Sequence, residues 1–146
     1  MRHLPRNLIV SLLAMGSFSV IFAEDPAELE TKKMAGIWSV KKLQIGGVEA
    51  SADIRNKVKV TIEGNQMIVK GFDANDVRNV FTLHPTSKPA TIDLEPTRKQ
   101  AKSAKGSYEW GGNTLTLCVT DGEDRPKEFI SKPNTEQVLM VLEKAQ

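Results

Sequence analysis

The most constraining feature of this chain is a run of period two that ends in a turn signal. Val58, Val60 and Ile62 alternate with Lys57, Lys59, Thr61 and Glu63, and Gly64-Asn65 follows at once. Alternation at this period belongs to a strand with one face in a core and one in water. A two-residue loop at Gly64-Asn65 makes a hairpin whose register can be worked out: Ile62 falls opposite Met67 and Val60 opposite Val69. Apolar side chains then lie on one side of both strands, so pattern and turn agree.

The same punctuation recurs along the chain. Gly36-Ile37-Trp38-Ser39-Val40 opens a strand that Gly46-Gly47 stops. Val77 to Leu83 and Thr91 to Leu94 form a further pair, joined by a loop holding Pro85 and Pro89, which have no N–H for a central ladder. Either two-residue turn within Gly111-Gly112-Asn113 places Tyr108 and Trp110 on the face of Leu115, Leu117 and Val119. A weaker strand is expected at Glu128 to Ser131, after Arg125-Pro126. Val138 to Leu142 is apolar on both faces and should be covered on both sides. A single helix is expected, Pro26 to Met34, with Asp25 as its N-cap and Pro26 at its first position. That helix is the natural cover for the last strand. About eight short strands joined by tight turns predict an all-β, antiparallel meander closed into a barrel, with a short N-terminal helix.

The first 23 residues stand apart. Arg2, His3 and Arg6 precede an apolar run from Leu8 to Phe22, and Ala23 precedes the polar Glu24-Asp25-Pro26. This is the order of a secretory signal, so residues 1–23 are read as a leader and residues 24–146 as one barrel domain in a periplasmic or secreted setting. The run is shorter than the roughly 20 residues of a spanning helix, and no later segment reaches that length.

Charge and residue inventory then exclude several functions. The whole chain has 20 basic and 18 acidic residues, but Arg2 and Arg6 lie in the leader, so 18 face 18 in the mature chain. Nucleic-acid binding normally needs a basic excess, and the only local one, Arg98, Lys99, Lys102 and Lys105, reads as a solvated loop. With one Cys and only His84 outside the leader, a His/Cys zinc site lacks ligands and a disulfide lacks a partner. No metal or cofactor is expected. His84 reads as a surface-loop residue without a neighbouring nucleophile. Asp73, Asn75 and Asp76 open like a calcium loop but lack its later Gly and Glu. Asp121, Glu123 and Asp124 read as a solvated turn. No residue is assigned a catalytic role, and the chain is read as non-enzymatic.

A longer pattern carries a family likeness: Gly36-x-Trp38, Val60-x-Ile62-x-Gly64, Phe81-x-Leu83-x-Pro85, Pro89-x-x-Ile92-Asp93-Leu94, Gly106-x-Tyr108, Gly112-x-x-Leu115-x-Leu117-Cys118 and Arg125-Pro126-x-x-Phe129. Spanning Leu29 to Lys144, it resembles the secreted, lipocalin-like domain family typical of planctomycete bacteria. One departure is Gly111-Gly112-Asn113, where the family usually has an acidic residue before the Gly. The resemblance implies a barrel and brings no activity, cofactor or site residue with it.

Within such a barrel, Trp38 is expected to plug the closed end, with Arg125 as a candidate neighbour. Trp38, Tyr108, Trp110, Phe81, Leu115, Leu117 and Phe129 are the candidate anchors or ligand-lining residues. Cys118 falls on the opposite face, either buried under the helix or exposed as a free thiol. Two functions follow. A barrel with an open mouth would bind a small apolar or amphipathic ligand. A barrel filled by its own side chains would instead meet an extracytoplasmic protein partner through its surface. A monomer is expected in either case.

Overall fold

From the third strand to the ninth, consecutive strands pair antiparallel, and the last strand returns to the first. In the computed structural model, which describes residue 17 and residues 19–146, β1 (Gly36–Ile45) pairs with β3 (Lys59–Glu63) on one side and with β9 (Val138–Lys144) on the other. Between them the order runs through β4 (Gln66–Lys70), β5 (Val77–His84), β6 (Ala90–Pro96), β7 (Ala104–Gly111) and β8 (Thr114–Thr120). Eight strands thus close a barrel, which abolishes its edges. β2 (Val48–Glu49) is an extra strand hairpinned onto the end of β1.

The hairpin arithmetic holds in register. Ile62 faces Met67 and Val60 faces Val69 across the Gly64-Asn65 turn. In the second hairpin Gly111 faces Thr114, so the turn is Gly112-Asn113, and Gly112 takes the positive φ of 64° that such a loop requires. Tyr108 then faces Leu117, and Trp110 faces Leu115.

The N-terminal helix α1 (Pro26–Met34) starts as its residues dictate, with the Asp25 carboxylate accepting from the Ala27 N–H at 3.0 Å. Its position differs from the expectation. Only Ala35 separates it from β1, so it turns across the barrel end and cannot reach the outer face of β9. The neighbouring outer face of β7 and β8 is covered by the connection between β8 and β9. In it the backbone carbonyl of Ile130 accepts from the Cys118 thiol, and the Pro126 carbonyl accepts from the Ser107 hydroxyl at 2.6 Å. Cys118 is therefore buried, but beneath this connection and not beneath the helix.

Two further expectations are corrected. Residues 128–131 form no strand. Pro126 and Pro133 flank them without N–H groups, and Ser131 ties the segment down by accepting from the Gly47 N–H at 2.9 Å and donating to the Gln137 carbonyl at 2.7 Å. A second helix, α2 (Ala52–Lys57), stands where only strands were expected. Its start is local chemistry: the Ser51 hydroxyl accepts from the Ile54 N–H at 3.4 Å.

Candidate functional site

Inward side chains meet in one cluster that runs the length of the barrel. Trp38, Tyr108, Phe81, Leu115 and Leu117 belong to it, with Val60, Ile62, Met67, Ile92 and Leu142 among their neighbours. Leu43, Val60, Ile92, Leu115, Leu117 and Leu142 have 0% of their surface accessible. A void large enough for water would leave accessible surface on its lining, so none adjoins these residues. The inside is a core of buried side chains in mutual contact. Trp110 is half-buried at its rim. Phe129 is also half-buried but lies on the β8–β9 connection, outside the cluster. Of the seven candidate lining residues, it is the one that the fold does not bring to the barrel interior.

One end of this core is closed by α1. Met34 is fully buried there, and its carbonyl accepts from the Trp38 indole at 2.9 Å. Glu30 accepts with one carboxylate oxygen from the Tyr108 hydroxyl at 3.1 Å and from the Trp110 indole at 2.8 Å. All three aromatic polar atoms are thereby satisfied by the helix. Burial, and then the adjacent Glu30 carboxylate, push the Tyr108 phenol well above its ordinary range. The two indole rings lie 6.1 Å apart, Lys33 sits 4.0 Å from the centroid of Trp110, and Lys144 sits 5.6 Å from that of Trp38. The basic neighbour of Trp38 is thus Lys144, not Arg125.

Arg125 works on the outside of the wall. One of its terminal nitrogens donates to the carbonyls of Ile92 at 3.0 Å and Gly106 at 2.9 Å, and the other donates to Asp93 at 2.5 Å. The second Asp93 oxygen meets His84 Nε2 at 2.9 Å. Partial burial pushes the Asp93 carboxyl up, but the hydrogen bonds from Arg125 and His84 together outweigh it and hold the group below its ordinary value. His84 is the last residue of β5, opposite Thr91, so it stands on a strand and not in the loop expected for it. His84 and Asp93 border a groove of about 590 Å³ that also includes Thr82, Glu95, Ser103 and Lys105. The Ser103 hydroxyl donates to Glu95 at 2.7 Å and so is not turned toward His84 as a nucleophile. The arrangement can pin the β8–β9 connection to β6 and β7.

The remaining polar features are surface ones. Asp121, Glu123 and Asp124 are exposed, as are Arg98, Lys99 and Lys102. Asp76 pairs with Lys70 and Arg78 at 3.9 and 3.8 Å. Among the described residues no group of three or more acidic, His or Cys side chains is placed to hold a metal ion, and no helix is long and apolar enough to cross a membrane. The apolar run from Leu8 to Phe22, read above as part of a leader, falls mostly on residues outside those described.

Compared with protein families, curated proteins and solved structures, the chain matches none.

Three participants escaped the sequence reading. Asp93 is a diagonal neighbour of His84 once Thr82 is set opposite Asp93 and His84 opposite Thr91, so the pair was within reach of register arithmetic. Glu30 and Lys33 left no such signal, because their partners are almost 80 residues away on β7.

Proposed function

We propose that the chain is an exported, lipocalin-like protein of the planctomycete type, cleaved after Ala23 and acting without catalysis as an interaction module. Its partner is an extracytoplasmic protein met through the outer surface. One observation supports this reading over a small apolar ligand in the barrel: Trp38, Tyr108, Phe81, Leu115 and Leu117 fill the interior and leave no water-sized void beside the fully buried residues. A guest would have to displace a core whose packing supplies most of the domain's stability. Loops and outward side chains are the parts free to serve a partner, and the groove of about 590 Å³ bounded by His84 and Asp93 is one such feature.

The test is a screen of fatty acids, sterols, hopanoid-like lipids and aromatic compounds against the mature chain. Trp fluorescence and melting temperature are read together, since a ligand of the folded state raises the latter by mass action. The proposal expects no saturable response in either. It also expects a partner from the extracytoplasmic fraction to be retained by the immobilised protein and released by excess free protein. A saturable change with one lipid class would overturn it.

A further inference from the structure

The barrel has a seam. β1 and β3 pair only from Gly36↔Ile62 to Ser39↔Lys59, after which β3 has no more residues to offer, and on that side β1 has no strand partner until Gln44 and Ile45 meet β2. At that point β1 also shifts register between Val40 and Lys42, which bulges Lys41 outward. Helix α2 lies beside the parted strands, leaving a cleft of about 210 Å³ lined by Ser39, Val40, Lys41, Arg55, Asn56, Val58 and Lys59. Val40 and Val58 are buried and form an apolar floor. The polar lining consists of three cations, a hydroxyl and an amide, with no carboxylate.

These cations are poorly neutralised. Lys41 reaches Glu143 at 3.8 Å, on the far side of β1. Among the described residues neither Arg55 nor Lys59 has a carboxylate within ion-pair distance, although Arg55 is half-buried. Lys59 moreover stands directly opposite Lys70 in the β3–β4 ladder. Lys70 is paired with Asp76 at 3.9 Å, so of these two lysines Lys59 is the one without a carboxylate. In a mature chain with 18 basic and 18 acidic residues, the excess is a local feature and not general basicity.

We infer that this seam cleft is an oxyanion site that takes a compact sulfate or phosphate group. Its volume of about 210 Å³ has room for a compact group of this size. Arg55 supplies the fork that matches two oxygens of a tetrahedral oxyanion, and Lys59 and Lys41 supply point charges beside it. The Ser39 hydroxyl and the Asn56 amide can donate to the remaining oxygens. The site lies on the wall near α2, distinct from the groove of His84 and Asp93, and it stands whether or not the reading under Proposed function does.

The experiment titrates the mature protein with sodium sulfate and with sodium phosphate, against sodium chloride at matched ionic strength, following melting temperature and amide chemical shifts. Saturable stabilisation by either oxyanion, absent with chloride, is expected, with shifts centred on residues 39–41 and 55–59. The double variant Arg55→Gln with Lys59→Gln should lose at least tenfold in affinity, while Arg98→Gln with Lys99→Gln binds as the wild type does. Unliganded melts of both variants check folding. A sulfated and a phosphorylated monosaccharide then name the source by which one binds more tightly. Stabilisation equal to that by chloride, or undiminished in the Arg55/Lys59 variant, would overturn the assignment.

Discussion

Truncating Trp38 to Ala tests the packed end of the barrel. The side chain is 1% exposed, wedged between the Trp110 ring and Met34, and its indole N–H is satisfied by the Met34 carbonyl. A buried aromatic removes about 150 to 250 Å² from water. At about 25 cal/mol per Å² the ceiling is about 4 to 6 kcal/mol, and the partly collapsed unfolded chain lowers it. The Met34 carbonyl also loses its partner, at about 1 kcal/mol. The expected loss is about 3 to 5 kcal/mol, in line with other large-to-small changes in cores. Since a domain of this kind is stable by only about 5 to 15 kcal/mol, the variant should lose from about a fifth to all of that stability. Urea denaturation followed by circular dichroism and by the remaining Trp110 fluorescence measures the change. Arg98→Ala, on an exposed loop, serves as reference and should stay within about 0.5 kcal/mol of wild type. A Trp38→Ala midpoint equal to the reference would refute the claim that this indole anchors the barrel end.

Three other outcomes are expected. Gly106→Ala places a methyl 2.3 Å from the Cys118 carbonyl oxygen and 2.6 Å from Val119 Cγ1, so β7 and β8 must part; denaturation should show a loss of about 1 to 3 kcal/mol, and a neutral result would show that the strands have room. The Asp93 carboxyl is held below its ordinary value in the folded protein, so its contribution is present above about pH 4, the unfolded value, and lost as pH falls through the folded one. Asp93→Asn should therefore lower stability at neutral pH and flatten the decline below about pH 4; a pH–melting curve parallel to that of wild type argues against the Arg125–Asp93–His84 trio. Sequencing of the exported protein should begin at Glu24, and a start at Met1 in a membrane fraction would contradict the leader reading.

The fold was legible where local rules and long-range packing agree. Val60 and Ile62 alternate against Met67 and Val69 because a two-residue turn lets neighbouring segments state their own register. Residues 128–131 misled because Phe129 and Ile130 look like strand residues, whereas their backbone is held by Ser131 and capped by prolines. Helix α2 was hidden by its six residues, none of them buried, which carry no amphipathic period. The filled interior was legible only as a possibility, since the candidate residues were named but their convergence depends on closure of β1 against β9. Arg125 could be recognised as unusual, yet its target on β6 and β7 depends on the path of a connection that no periodicity describes.

The central claim is that the barrel is filled by its own side chains and serves as a platform, not a container. Diffraction from crystals of the mature protein under xenon pressure tests this most directly, because xenon occupies apolar voids that water avoids. The account predicts no xenon site among Trp38, Phe81, Tyr108, Leu115 and Leu117. A bound xenon atom enclosed by those residues would contradict it.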